Sequence, residues 1–214
     1  MAAKKPLAQD ETPYNPLDKR QLGLSVADAL LQRPVLPLDL PMRFRGAGIY
    51  AIYYVGSFEP YSRLVARNRK GSFDHPIYVG KAEPTGRRKG KKETEAGQEP
   101  AIYARLGKHA KSIREAENLN LVDFYCRHLV VDEIFISLGE QLLIAKFGPL
   151  WNTLVDGFGG NQPGGGRRGQ KRSAWDTLHR GRKTAKGLPP NPKSASRIVE
   201  EVEKWFVSQV APGR

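Results

Sequence analysis

Apolar residues recur at helical spacing near the start of the chain, at Leu22, Val26, Leu30 and Leu31. This pattern predicts a helix opening at Asn15-Pro16 and running to about Gln32. Residues 1–14 before it read as a loose tail. Pro34, Pro37 and Pro41 then impose an extended connector, because proline fixes its own backbone and restricts the residue before it. The period changes to two over Ala47 to Val55, which predicts a strand ended by Gly56. Gly48, Tyr50, Ile52 and Tyr54 share one of its faces. Residues 57–75 are polar and basic and read as an excursion. Pro76 to Gly80 is a second short strand.

Helical spacing returns from Pro100, with Ile102, Leu106 and Ile113 marking a buried stripe. Val122 to Val131 reads as a third strand. Asp132 suits the N-cap of a helix over Glu133 to Phe147, and Gly148-Pro149 ends it. Residues 157–169 are glycine-rich and predict a loop. A last amphipathic helix carries Ile198, Val199, Val202, Trp205 and Phe206. The order of elements predicts a small α+β domain with a mostly antiparallel, three-stranded sheet flanked by helices. Three regions follow: a tail and helical extension over 1–45, a central domain over 46–155 with an insertion at 56–75 and a basic loop at 83–98, and glycine- and arginine-rich loops with a helix over 156–214.

Charge changes this picture. The net charge is +13 at pH 7, and it is concentrated in two blocks. Residues 61–92 hold ten Lys/Arg against Asp74 and Glu83, and residues 163–193 hold nine against Asp176. Basic blocks on an otherwise mildly acidic scaffold suit a polyanion. Neither block has the apolar face of a membrane-surface helix. A single cysteine, Cys126, permits no internal disulfide and reads as a small buried hydrophobe. The N-terminus lacks the apolar stretch of a signal peptide, and no run of about 18 apolar residues occurs. The expected location is cytoplasmic, with no membrane partner.

Three local patterns carry candidate chemistry. Arg105 and His109 are four residues apart, so they share a helix face beside the apolar stripe, an arrangement that suits a phosphate. Glu140 interrupts a nearly all-apolar helix between Ile136 and Ile144, where a carboxylate is costly without a compensating cation. Tyr50 and Tyr78 fall on neighbouring strands. Each has an ordinary alternative: a surface Arg and His, a glutamate reaching solvent, core tyrosines. Four histidines and one cysteine without paired spacing offer no zinc set. The Gly164-Gly165-Gly166 run lacks the strand and Lys-Ser/Thr of a nucleotide-binding loop.

Together these residues resemble the GIY-YIG nuclease superfamily. Gly48-Ile49-Tyr50 matches its first signature, and Tyr78-Val79-Gly80 the second, with Val for the commoner Ile. Arg105 and His109 fall on the helix that carries the family's arginine and its histidine or tyrosine partner. Glu140 falls on the helix that supplies the single metal-binding carboxylate, and Asn152 matches the asparagine just beyond it. The resemblance covers residues 46 to about 155. The chain departs from the pattern in one respect: 27 residues separate Tyr50 from Tyr78, where the family usually has a short hairpin.

The resemblance implies phosphodiester hydrolysis. Glu140 would hold one Mg²⁺, with Mn²⁺ able to substitute, and Arg105 would neutralise charge on the nonbridging oxygens. Tyr50 would position or deprotonate the attacking water, with its pKa lowered by Lys81 or His109. His109 is the alternative general base. Tyr78 would hold water or phosphate, and Asn152 would orient the site.

Arg63, Arg67, Arg69 and Lys70 in the insertion, Arg87 and Arg88 in the basic loop, and Arg167, Arg168, Gln170, Arg172, Arg180 and Arg182 are the expected DNA contacts. The basic C-terminal segment resembles the type II restriction branch. That implies a homodimer cutting a short, palindromic, G/C-rich site in double-stranded DNA, and a cognate methyltransferase acting separately. A homing or repair nuclease and a noncatalytic nucleic-acid-binding protein are the alternatives.

Overall fold

The computed structural model describes residues 15, 17–84, 99–160 and 169–209. Four strands, β1 (Leu36–Pro37), β2 (Gly48–Tyr54), β3 (Tyr78–Ala82) and β4 (Phe124–Val130), form one antiparallel sheet in the order β1-β4-β2-β3. The fold is α+β as expected, with one strand more than the three anticipated. The additional strand lies in the proline-rich connector, where Leu36 and Pro37 pair with Cys126 and Tyr125. Proline's extended φ suits an edge strand, and its missing N–H costs nothing on the open side.

The helices are α1 (Lys19–Leu31), α2 (Ser62–Asn68), α3 (Ala101–Glu115), α4 (Glu133–Phe147), α5 (Leu150–Thr153), α6 (Ala174–Leu178) and α7 (Ala195–Ser208). The cap of α1 is Asp18, whose side chain accepts from the Arg20 N–H, and not Asn15 as expected. Asp132 caps α4 as predicted by accepting from the Ile134 N–H.

The central strand β2 is buried along its whole length because both of its faces are covered. Ile49, Ala51 and Tyr53 pack with Ala27 and Leu30 of α1 and Ile136 and Leu143 of α4. Tyr50, Ile52 and Tyr54 face a larger core with Ile102, Leu106 and Ile113 of α3, Trp151, Trp175, and Ile198, Val202 and Phe206 of α7. The C-terminal segment therefore shares the core that the central strands build. Cys126 is buried and free, as expected.

The insertion differs from the sequence expectation. Residues 56–75 contain α2 between single turns at Glu59–Tyr61 and Arg69–Gly71. Tyr61, Leu64 and Val65 anchor this segment in the core. Asn68 ties it down, donating to the His75 carbonyl at 2.8 Å and accepting from the His75 N–H at 3.0 Å. No helix among the described residues is long and apolar enough to cross a membrane.

Candidate active site

A cleft of about 640 Å³ opens along the free edge of β3, between α3 and α4. Its walls include Tyr78, Lys81, Glu83, Arg105, Lys108 and Glu140. Side chains alternate across a strand, so Tyr78 points to the α3 side of the sheet and Lys81 to the α4 side. An edge strand is where residues from both faces can meet in one opening.

The Tyr50 hydroxyl lies 2.7 Å from His109 Nε2, in the buried layer behind Tyr78 and Arg105. The Arg105 guanidinium lies close enough to both phenols to act on them electrostatically, and it donates to the Gly159 carbonyl at 2.7 Å. Gly80 is required by this packing: a Cβ there would sit 2.5 Å from the Tyr50 hydroxyl. The glycine of the second signature thus makes room for the tyrosine of the first.

Burial raises the Tyr50 pKa strongly, the Tyr78 phenol adds to the effect, and Arg105 opposes it. Tyr78 is raised as well, chiefly by burial. His109 is held well below the ordinary histidine range by burial, followed by the cations Arg105, Arg182 and Lys108. At neutral pH the pair is therefore a phenol beside a neutral imidazole. Neither source expected to lower the Tyr50 pKa fills that role, since His109 is uncharged and Lys81 is engaged elsewhere. The cation beside Tyr50 is Arg105.

Lys81 faces the carboxylates. Its Nζ lies 3.2 Å from Glu83 Oε1 and 3.4 Å from Glu140 Oε2, and donates to Ser137 Oγ at 2.9 Å. Burial acts to lower the Lys81 pKa, and the two glutamates raise it overall. Glu140 is half-buried, and loss of solvation raises its carboxyl pKa against the opposing pull of Lys81. No cluster of three or more His, Cys, Asp or Glu able to form a metal cage occurs among the described residues. A poorly solvated carboxylate at an open cleft, with a second glutamate across Lys81, fits a hard cation that keeps most of its waters.

Asn152 does not line the cleft. Its Oδ1 accepts from the Val79 N–H and its Nδ2 donates to the Val79 carbonyl, both at 2.8 Å. The Trp151 N–H donates to the Ile77 carbonyl at 2.9 Å. The segment after α4 thereby closes the free edge of β3 and fixes the strand that carries Tyr78 and Lys81.

The structure brings Tyr50, Tyr78, Lys81, Arg105, His109 and Glu140 together. Glu83, Lys108 and Ser137 join them and were not singled out in the sequence. Glu83 follows Lys81 at strand spacing, and Ser137 and Lys108 each precede a site residue on its helix by three or follow it by three, so spacing alone offered a signal.

The expected DNA contacts divide. Arg63, Arg69 and Arg180 are exposed, and Arg67, Gln170 and Arg172 are half-buried. None of these lines the cleft. Arg182 is a correction: it is buried and paired with Asp176, so it is not a surface contact. Arg87, Arg88, Arg167, Arg168 and the side chain of Lys70 lie outside the described residues.

The profile of the Eco29kI GIY-YIG domain, a restriction-endonuclease family, matches residues 42–206. The chain belongs to this family. It is a GIY-YIG nuclease, and the matched span takes in the insertion and the C-terminal segment as well as the two signatures. No curated protein matches the chain.

Proposed function

We propose that this GIY-YIG nuclease is a Mg²⁺-dependent type II restriction endonuclease that hydrolyses double-stranded DNA at a short palindromic, G/C-rich site as a homodimer. The observation that carries the reading is the convergence of Tyr78, Arg105 and Glu140 on one cleft, with the Tyr50–His109 pair directly behind it. Mn²⁺ is the expected substitute, and a separate methyltransferase would protect the host's own sites.

Glu140 would hold the metal, which when bound acts as a Lewis acid on the scissile phosphate and the leaving 3′ oxygen. Arg105 faces the cleft and stabilises charge gathering on the nonbridging oxygens. Tyr78, the phenol that lines the cleft, holds the water or a phosphate oxygen. Tyr50 takes the proton of the attacking water and passes its own to His109, whose neutral Nε2 is already 2.7 Å away. Lys81 limits the cost of holding Glu140 ionised before the metal arrives. Outside the cleft, exposed Arg43 and Arg45 flank Phe44 in a smaller opening that shares Pro100 with it, which supports a basic approach for the strand.

The test is digestion of an unmethylated plasmid panel with and without Mg²⁺, followed by end-sequencing. Discrete bands that require the metal support the reading, and their ends give the site. Random degradation would remove the restriction assignment. Sedimentation of the protein on a duplex carrying the site decides between one and two copies.

A further inference from the structure

Arg182 lies far along the chain from both signatures, on the C-terminal segment, yet its side chain points into the protein and only 8% of it is exposed. Its guanidinium makes a two-pronged contact with the Asp176 carboxylate, Nε bonding to Oδ1 and the second prong to Oδ2. The remaining N–H groups donate to the Phe158 carbonyl at 3.1 Å and the Gly157 carbonyl at 3.0 Å. It also stacks over the Trp175 ring, 5.0 Å from the centroid. These four acceptors outnumber the three donors of a lysine ammonium, and the two-pronged grip on the carboxylate needs the planar fork of a guanidinium.

The clamped segment is the one against which the catalytic side chains rest. The Phe158 ring stacks on the His109 imidazole at 4.6 Å with the planes 19° apart, and it meets Tyr78 edge-on at 5.1 Å. The Gly159 carbonyl receives the Arg105 guanidinium. Gly159 also passes so close to Tyr78 that a Cβ there would sit 2.2 Å from its hydroxyl. The other end of the clamp is anchored as well. The Glu117 N–H donates to the Arg180 carbonyl at 2.8 Å, and the Lys183 N–H to Glu115 Oε2 at 2.9 Å, at the end of the helix that carries Arg105 and His109.

We infer that Arg182, held by Asp176, is a positioning residue for the nuclease reaction: by fixing residues 157–159 it sets the orientation of Arg105, His109 and Tyr78. A tighter fit of a catalytic group can matter greatly, since a displacement of about 1 Å can cost about 100-fold in rate. The inference rests on the nuclease reading only for its rate effect. The orientation of His109 can be read without any cleavage.

Two variants test it in the full chain. Arg182→Lys keeps the charge and loses the fork. The double variant Arg182→Met with Asp176→Leu removes both charges together, which avoids leaving one buried and uncompensated. Three quantities are measured: the thermal midpoint, the single-turnover cleavage rate against duplex affinity, and the nitrogen resonances of a labelled His109 imidazole. The expected result is a cooperative fold in at least one variant, a single-turnover rate down by about 10- to 100-fold with duplex affinity within about 3-fold, and a shifted His109 signature. A folded variant with an unchanged His109 signature and the wild-type rate would overturn the inference. It would also fall if neither variant folds, because Arg182 would then be a stability residue only. If the wild-type protein cuts no duplex, the nuclease reading fails, and the His109 resonances still decide whether the clamp orients the imidazole.

Discussion

The Tyr50 hydroxyl meets His109 Nε2 at 2.7 Å across 59 residues of sequence, and both side chains are enclosed. A buried phenol that keeps its proton at rest can act as a base only if that proton has somewhere to go. Tyr50→Phe and His109→Ala should each lower the single-turnover rate by about 100-fold or more. The double variant should be little worse than either, because the two act as one unit. Additive losses in this cycle would show that they act separately. A near-normal rate in Tyr50→Phe would remove Tyr50 from the proton path.

Glu140→Gln should abolish metal-dependent cleavage while leaving the fold intact. The carboxylate is destabilised by lost solvation and only partly compensated by Lys81, so a neutral amide should not lower the thermal midpoint. Titration calorimetry with Mg²⁺ alone, alongside a melting curve, checks both halves. Retained metal binding in this variant would place the ion elsewhere in the cleft.

Asn152→Leu unhooks Val79 by removing an acceptor and a donor together. Each buried backbone group left without a partner costs about 1–3 kcal/mol, so a clear fall in the thermal midpoint is expected, with a slower cleavage rate. Asn152→Asp keeps the acceptor for the Val79 N–H and loses the donor to its carbonyl. It should be milder below the range where that carboxyl protonates, because the acid form donates to the Val79 carbonyl as the amide does, and worse above it, where a charged oxygen faces that carbonyl. Equal melting of the three proteins would contradict the edge-closing role.

His109 and His179 are both buried and held neutral, His109 well below its ordinary value and His179 down to about 3, in each case chiefly by burial. The unfolded chain titrates both near pH 6.5. Folded-state values below that mean the unfolded state binds more protons in the window beneath it, so stability must fall as pH drops. Full stability is expected above about pH 6.5, declining progressively toward pH 3. Denaturant midpoints between pH 8 and pH 4 measure this, and His179→Asn should flatten the slope.

Local period made much of this fold legible. The two-residue alternation of Tyr50, Ile52 and Tyr54, the stripe through Ile102, Leu106 and Ile113, and the Asp132 cap are all found where the sequence places them. What escaped depends on partners remote in sequence. The insertion has few apolar residues and reads as polar chain, but Tyr61 bonds to His179 at 2.6 Å across 118 residues, and that contact carries α2 into the core. Leu36-Pro37 becomes a strand only because β4 lies beside it. Charge counting treated Arg182 and Arg180 alike, although only Arg182 has a carboxylate and two carbonyls waiting inside. Lys81 and Arg105 flank the site equally in sequence, and only the alternation of β3 sends the lysine to the carboxylates and leaves the arginine to the phenols.

Both margins of the sheet are blunted. One ends in a two-residue strand containing Pro37, and at the other Asn152 occupies both backbone groups of Val79. A foreign strand finds little template on either side. Two copies brought together on a duplex would therefore have to meet through helices or loops and not through a continuous intermolecular sheet, and the same blunting protects a crowded solution of this protein from strand-to-strand aggregation.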